Sequence, residues 1–188
     1  MNTIAAKNRL VVGDVAPQVK VQSCQGESVA LADRWSKQPL LIQFARHLGC
    51  PFCRDRAQQL KLDYEEIAQH QGNVVFITMG PQERAQQLQE SMQLPFDVLV
   101  DPYRTAYQAF RVPRGGFSEI AGPRVWLPGL SALLRSGIRA PGDDLVQLQG
   151  TFVVDSQGVI RLVHLPRHSA DFPQLAEILT ALDASAAP

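Results

Sequence analysis

Short apolar runs alternate with amphipathic segments along the central part of the chain. Residues 40–45, 74–78 and 96–100 are rich in apolar and β-branched side chains, which is typical of buried strands. Residues 53–70 lie between the first two runs and carry apolar side chains at steps of three and four, as one face of a helix requires. Residues 81–94 repeat that spacing before the third run. The pattern predicts parallel strands joined by right-handed helical crossovers.

Two further strand pairs flank this central pattern. Residues 19–22 and 28–31 surround a Gln25-Gly26 step, which favours a tight hairpin turn. Residues 151–155 and 159–165 are likewise separated by a short turn that contains glycine. The sequence therefore predicts an N-terminal β-hairpin and a second hairpin near the C-terminus.

The ends of several helices can also be predicted. Residues 103–110 indicate a short helix after the third apolar run. Gly72 is expected to end the helix over 53–70 in the left-handed conformation. The last helix is expected to begin at Asp171, with Gln174 three residues later as in a capping box.

Residues 111–148 are the least regular part of the chain and are rich in proline and glycine. Leucines at 127, 130, 133 and 134 predict a short amphipathic helix inside this insertion. Long loops in compact domains are usually functional or mobile. We expect a single domain over residues 1–188, with the insertion covering its reactive site.

The composition is that of a folded protein without a dominant charge. The chain has 188 residues, of which 45% are hydrophobic, and Lys+Arg and Asp+Glu number 18 each. This balance predicts neither nucleic acid nor a membrane as a partner. Residues 1–10 lack the apolar core of a signal peptide, and no run has the length of a membrane span. We expect a cytoplasmic protein.

The candidate chemistry lies in Cys-Pro-Phe-Cys at residues 50–53, between a predicted strand and a predicted helix. Pro51 suits the first helical position, which places Cys50 at the N-cap and Cys53 in the first turn. Both sulfur atoms then lie near unpaired N–H groups and the positive end of the helix dipole. Such a setting favours the reactive thiolate over the thiol.

Three interpretations of this pair are open. Cys50 and Cys53 can form a reversible disulfide, because one thiolate attacks and the other resolves. Together with His164 and His168 they superficially match a zinc-ligand spacing, although Pro166 prevents the histidines from sharing a helical face. They can also be two small residues at a helix start. We favour the reversible disulfide and expect no metal and no cofactor.

Other residues can assist the pair or have a plain structural role. Arg46 is either an anion-stabilising group or a solvated loop charge. His47 is either a base for a thiol or an idle loop histidine. Arg124 and Trp126 either line a pocket or pack within the insertion. Cys24 is interpreted as a small residue at a strand end rather than as a resolving cysteine, because no positive charge lies near it in sequence.

Several motifs, taken in order, resemble the peroxiredoxin family over most of the chain. They are Gly-Asp-Val-Ala-Pro at 13–17, Phe-Asp-Val-Leu-Val-Asp-Pro at 96–102 and Thr-Phe-Val-Val-Asp at 151–155. Gly-Cys-Pro-Phe-Cys-Arg at 49–54 and the leucine-rich insertion are similar to the peroxiredoxin-like 2 branch of the alkyl hydroperoxide reductase/thiol-specific antioxidant superfamily. The resemblance implies an α/β thioredoxin-like fold of peroxiredoxin type, with a central mixed sheet, flanking helices and the N-terminal hairpin.

The chain departs from the usual peroxiredoxin pattern at the site itself. The resemblance places the family's peroxidatic cysteine on Cys53, its threonine on Cys50 and its proline on Arg46. The peroxide-binding arginine of the family falls on Gln149, and Gly150 stands where thioredoxins have a cis-proline. The sequence thus combines a peroxiredoxin frame with a thioredoxin-type pair of thiols.

The resemblance implies a thiol-dependent oxidoreductase that reduces a peroxide or disulfide substrate through a Cys50–Cys53 dithiol/disulfide cycle. A thioredoxin-like or glutathione-type reductant would reset the pair, and a homodimer is compatible with the family. The peroxiredoxin match makes Cys53 the attacking residue, whereas the thioredoxin match makes it Cys50. Because Gln149 carries no charge, a slow peroxidase is expected, unless Arg46 or Arg124 replaces the missing arginine. The alternative is a non-catalytic thioredoxin-fold binding module or redox sensor.

Overall fold

The computed structural model describes residues 9–115, 147–168 and 170–185. In this part of the chain, seven strands form one mixed sheet in the order β2-β1-β5-β4-β3-β6-β7. The strands are β1 (Lys20–Gln22), β2 (Ser28–Ala30), β3 (Leu40–Phe44), β4 (Asn73–Thr78), β5 (Asp97–Val100), β6 (Gly150–Val154) and β7 (Ile160–His164). β3 pairs in parallel with β4, and β4 with β5, as the alternating pattern predicts. The two expected hairpins, β1–β2 and β6–β7, are confirmed.

Helices cover both faces of the sheet. They are α1 (Ala32–Trp35), α2 (Pro51–Leu62), α3 (Tyr64–Gln69), α4 (Gln82–Met92), α5 (Thr105–Ala109) and α6 (Leu175–Asp183). Side chains of β3 alternate between two apolar cores, with Leu41 packed on the α2 side and Leu40, Ile42 and Phe44 on the α5 side. Among the described residues, no helix is long and apolar enough to cross a membrane.

The helix expected over residues 53–70 is interrupted. It begins at Pro51 and is divided at Asp63 into α2 and α3. The Asp63 carboxylate accepts a hydrogen bond of 2.9 Å from Gln59 Nε2, and its backbone N–H bonds to Gln59 and Lys61. The apolar spacing alone does not predict this division.

Gly72 is not the left-handed residue that the sequence suggests. Gln71 adopts that conformation, with φ 58°, and the Gly72 N–H bonds to the Ile67 carbonyl at 2.9 Å. Gly72 is instead required by packing. A Cβ there would lie 2.7 Å from Leu182 and 2.9 Å from Ile67.

The expected start of the last helix at Asp171 is also wrong. The N-cap is Gln174, which forms the capping box with Glu177. Phe172 precedes Pro173, and a residue before proline is disfavoured in helical conformation. Asp171 instead accepts from the Arg167 N–H at 2.8 Å and lies 3.2 Å from His164 Nε2. The short helix α1 was not predicted.

Most of the insertion at about 111–148 lies outside the described residues, which include only its two ends. Arg114 and Gln147 form an isolated antiparallel bridge there. The predicted leucine helix, Arg124 and Trp126 fall outside the described residues. The bridge nevertheless brings the two ends of the insertion together beside β6.

Opposite stability changes are expected at the α3 terminus. Gly72→Ala should lower the free energy of unfolding by about 1–3 kcal/mol, because Leu182 and Ile67 are fully buried and cannot move aside freely. Gln71→Gly should raise it by up to about 1 kcal/mol, because glycine tolerates positive φ. Urea denaturation of both variants measures these changes. If Gly72→Ala were neutral, the close packing would be without consequence.

Candidate active site

The two predicted cysteines lie where β3 leads into α2. Cys50 is extended, with φ −75° and ψ 121°, and Pro51 occupies the first turn of the helix, as expected. Both thiols are buried, with 2% of Cys50 and 3% of Cys53 exposed. The loop before them is fixed by the hydroxyl of Tyr107, which donates to the carbonyls of Ala45 at 2.6 Å and Ile77 at 2.9 Å. These hydrogen bonds hold the end of β3, and with it the loop that carries the two cysteines, against the neighbouring strand and helix.

The pKa values of the two thiols are shifted in opposite directions. The pKa of Cys50 is lowered to about 6, above all because the Cys53 thiol donates a hydrogen bond to its sulfur. The Arg46 charge and the backbone N–H groups of Phe52 and Cys53 also favour the Cys50 thiolate, against the effect of burial. The pKa of Cys53 is raised by the same hydrogen bond and by burial. These shifts favour a thiolate at Cys50 and keep the proton on Cys53.

Arg46 is part of this site. Its side chain is 4% exposed, so the interpretation as a solvated loop charge is wrong. Its Nη1 lies 3.8 Å from Cys50 Sγ, and its backbone N–H donates to Cys53 Sγ at 3.2 Å. Arg46 therefore contacts both sulfur atoms: its guanidinium group faces the sulfur of Cys50, and its backbone N–H faces the sulfur of Cys53.

Gln147 fixes the direction of Arg46 and was not identified from the sequence. Its backbone carbonyl accepts from Arg46 Nε at 3.1 Å. Its buried side chain donates to the carbonyls of Val112, Pro113 and Leu148 at 3.0–3.4 Å. Gln147 stands at the end of the irregular insertion, where no periodic pattern marks a residue as buried. The sequence therefore carries no signal for it.

Gln149 is buried near the same strand end but makes its hydrogen bonds elsewhere. Its Nε2 donates to the carbonyl of His168 at 3.2 Å and to that of Asp171 at 3.5 Å. The side chain thus joins β6 to the turn before α6. This is a structural contact, in contrast with the peroxide-binding position that the resemblance assigns to residue 149.

His47 and Cys24 are the remaining candidates among the described residues. His47 is 8% exposed, and its carbonyl accepts from the Cys50 N–H at 3.0 Å. The Cys24 thiol donates to the Val98 carbonyl at 3.1 Å, and burial together with the charges of Asp97 and Glu90 raises its pKa. Cys24 therefore has the properties of an unreactive structural cysteine.

A metal centre is not formed by the residues that the structure describes. Among them, no three His, Cys, Asp or Glu side chains are grouped closely enough to hold an ion. His164, one residue of the zinc-like spacing, is directed to Asp171 instead. The described site is therefore composed of two thiols, one buried cation and backbone amides.

Comparisons with known proteins identify the family and the fold of the chain. The family model described as "AhpC/TSA family" matches residues 12–163. A prostamide/prostaglandin F synthase of Salmo salar is 27% identical over 177 residues, covering 88% of this chain and 85% of that protein. Peroxiredoxin Bcp of Bacillus subtilis is 27% identical over 101 residues, or 54% of this chain and 64% of that protein.

The same fold is found in a solved structure. Peroxidoxin BcpB from Mycobacterium tuberculosis superposes with a TM-score of 0.71 at 20% identity, covering 94% of this chain and 98% of the other. The predicted thioredoxin-like fold of peroxiredoxin type is thereby confirmed. Since the family model matches most of the sequence, including β3, the cysteine pair and β6, the chain belongs to the AhpC/TSA family.

Proposed function

We propose that this protein is a thiol-dependent peroxidase that cycles between a Cys50/Cys53 dithiol and a Cys50–Cys53 disulfide. The observation that carries the proposal is the geometry of the pair: the buried Cys50 sulfur lies 3.8 Å from Arg46 Nη1, and the Cys53 sulfur accepts from the Arg46 backbone N–H at 3.2 Å. A thiolate beside a protonated thiol supplies both the nucleophile and the resolving group.

In the first step, the Cys50 thiolate attacks the terminal oxygen of the peroxide. An S–O bond forms as the O–O bond breaks, and the leaving alkoxide or hydroxide takes a proton from solvent to depart as an alcohol or as water. Cys50 becomes a sulfenic acid and the peroxide is reduced by two electrons. Arg46 stabilises the thiolate and the charge that develops on the leaving oxygen.

In the second step, the Cys53 sulfur attacks the sulfenic sulfur of Cys50. The S–S bond forms as the S–O bond breaks, and the hydroxyl leaves as water with the proton of Cys53. A thiol reductant then returns two electrons to the pair. This order of attack is that of the thioredoxin-type match, because Cys53 is the less acidic thiol.

The compartment of the protein, its division into domains and a second class of substrate are further parts of the proposal. Three free cysteines suit a reducing compartment, so we propose the cytoplasm. We also propose one domain, because a single family match, over residues 12–163, spans both sides of the insertion. A disulfide substrate remains compatible with the same pair, since a thiolate attacks sulfur and peroxide oxygen alike.

Mild oxidation should link Cys50 to Cys53 and leave Cys24 reduced. The two sulfur atoms are in hydrogen-bond contact, whereas Cys24 is engaged with Val98. Mass spectrometry of peptides from the oxidised protein identifies the bridge, with Cys24→Ser as the control. A dominant bridge to Cys24 would contradict the cycle. Failure of every form to consume peroxide with a dithiol donor would favour the binding-module alternative.

The alkylation rate of Cys50 should rise with pH and level off above an inflection near 6. Cys53→Ala should move the inflection towards the free-cysteine value of about 8.5, because it removes the donor to the thiolate. Cys53→Ser is the matched control, since its hydroxyl still donates. Iodoacetamide kinetics from acid to alkaline pH measure the shift. Equal inflections in both variants would show that the hydrogen bond is not the main cause.

Arg46→Met should slow the reaction with hydrogen peroxide by about 10²-fold, the usual cost of losing one preorganised donor. Gln149→Arg should leave the rate nearly unchanged, because residue 149 is bonded to the turn before α6. Stopped-flow rates at about pH 9, where each variant is largely thiolate, separate this effect from the pKa. Arg84→Met, on an exposed part of α4, is the control. If Arg46→Met reacted as fast as the wild type and Gln149→Arg reacted faster, the role proposed for Arg46 would be wrong. Residue 149 would then be the position of the peroxide-binding group, as in the usual peroxiredoxin pattern.

A further inference from the structure

The peptide group between Ala45 and Arg46 contacts a different partner on each of its two sides. Its carbonyl accepts a hydrogen bond of 2.6 Å from the Tyr107 hydroxyl, and its N–H donates to the sulfur of Cys53 at 3.2 Å. The peptide is planar and trans, so its C=O and N–H point in opposite directions. One rigid group therefore connects a tyrosine of α5 to the second thiol of the site.

The hydroxyl proton of Tyr107 is directed mainly to the Ala45 carbonyl. The hydroxyl also lies 2.9 Å from the Ile77 carbonyl, but that carbonyl accepts from the Ala45 N–H at 2.8 Å. A hydroxyl has one proton to donate, and the contact with the Ala45 carbonyl is the shorter of the two. Tyr107 is 1% exposed, so this hydrogen bond is shielded from water.

Tyr107 is held in place through its backbone and through its ring. The Asp101 carboxylate accepts from the Tyr107 N–H at 3.2 Å and from the Ala106 N–H at 2.8 Å, which fixes the first turn of α5. The ring packs edge-on against Phe44, with 4.9 Å between the ring centres. The hydroxyl therefore reaches the peptide from a fixed direction, and α5 determines how the Arg46 N–H faces the sulfur.

The Arg46 N–H favours negative charge on the Cys53 sulfur. It lowers the pKa of this thiol, against the larger effects of the Cys50 thiol and of burial. A hydrogen bond accepted by a peptide carbonyl polarises the amide and strengthens the bond that its N–H donates. The Tyr107 hydroxyl therefore adds to the stabilisation of a Cys53 thiolate, whereas the Arg46 guanidinium faces Cys50 at 3.8 Å.

We propose that Tyr107 is a positioning residue for the resolving step, acting on the Cys53 sulfur through the peptide between Ala45 and Arg46. This inference rests on the proposed function for the reaction step alone, since the coupling of Tyr107 to Cys53 does not depend on it. In that step the S–S bond forms as the S–O bond of the Cys50 sulfenic acid breaks, and the hydroxyl leaves as water with the proton of Cys53. Negative charge develops on the Cys53 sulfur as its proton departs, and the oriented N–H stabilises that charge.

The coupling is tested first without peroxide, in Cys24→Ser/Cys50→Ala protein, where Cys53 is the one remaining thiol. Tyr107→Phe should raise the pKa of Cys53 by about 0.5 unit and move the Arg46 amide proton upfield, because the N–H then donates less strongly. NMR titration of the Cys53 Cβ resonance measures the pKa. A fluorinated tyrosine at residue 107 is the stronger donor, so near neutral pH it should move the amide proton downfield. No change in either variant, or changes of the same sign, would overturn the proposal.

The resolving step is then timed in the dithiol protein. Wild type and Tyr107→Phe react with hydrogen peroxide at about pH 9, where Cys50 is largely ionised. The sulfenic acid is trapped with dimedone at successive times, and mass spectrometry follows it and the disulfide. The rate of sulfenic acid formation should change by less than about twofold, whereas its conversion to the disulfide should slow by at least about threefold, the equivalent of half a pKa unit. Equal slowing of both steps would show a purely structural role and overturn the proposal.

Two control variants separate this effect from a general loss of stability. Gly72→Ala disturbs the end of α3, at the opposite end of β3 and β4 from the thiols. Tyr64→Phe removes a hydroxyl from a half-buried ring that packs on Phe96. Both controls should leave the ratio of the two rates unchanged. A ratio in Gly72→Ala as low as that in Tyr107→Phe would attribute the effect to instability and overturn the proposal.

The remaining readouts keep the test decisive. If circular dichroism shows that Tyr107→Phe does not fold, the fluorinated tyrosine, which keeps the hydroxyl, decides the question through the Arg46 amide proton and through faster conversion to the disulfide. Peroxide consumption with dithiothreitol tests the peroxidase proposal by itself. Its failure would leave the coupling measured by NMR unaffected, so the two proposals fail separately.

Discussion

A negative charge held in the interior is the constraint on which the rest of the site depends. The Cys50 thiolate is almost fully buried, and burial alone would favour the neutral thiol. The Cys53 thiol, the Arg46 guanidinium and the helix-start amides together reverse that preference. Because each of these groups acts only at short range, the fold must hold all of them in place, and the connections around α2 do this.

Those connections come from distant parts of the chain. Gln147, beyond the insertion, directs Arg46, and Tyr107 on α5 fixes the loop after β3. Behind α2, Gln43 accepts from Arg56 at 3.1 Å and from Thr151 at 2.9 Å, which ties the helix to β3 and β6. Buried hydrogen bonds of this kind hold the helix against the sheet. The acidity of Cys50 is therefore a property of the whole sheet edge.

The sequence predicted what depends on local pattern and missed what depends on packing. The succession of strands and helices along the chain, the parallel crossovers and the N-cap position of Cys50 follow from apolar spacing and from Pro51. The role of Gly72 could not be predicted, because its neighbour Leu182 is distant in sequence. The same holds for Gln147, whose partners include Val112 and Arg46. The sequence shows that glutamine replaces the family's arginine at residue 149. It does not show that Arg46 is buried beside the thiols.

The position of the cation and the identity of the attacking thiol are linked in the proposed mechanism. A cation at the start of β6 would serve a nucleophile at residue 53, which is the usual arrangement that the resemblance implies. Here residue 149 is neutral and turned towards His168, whereas the charge of Arg46 approaches Cys50. The hydrogen bond between the two thiols is the main cause of the lowered pKa of Cys50 and the raised pKa of Cys53, and the Arg46 charge adds to the lowering at Cys50. A peroxiredoxin frame with these substitutions therefore favours attack by Cys50, the order of reaction of a thioredoxin-type pair.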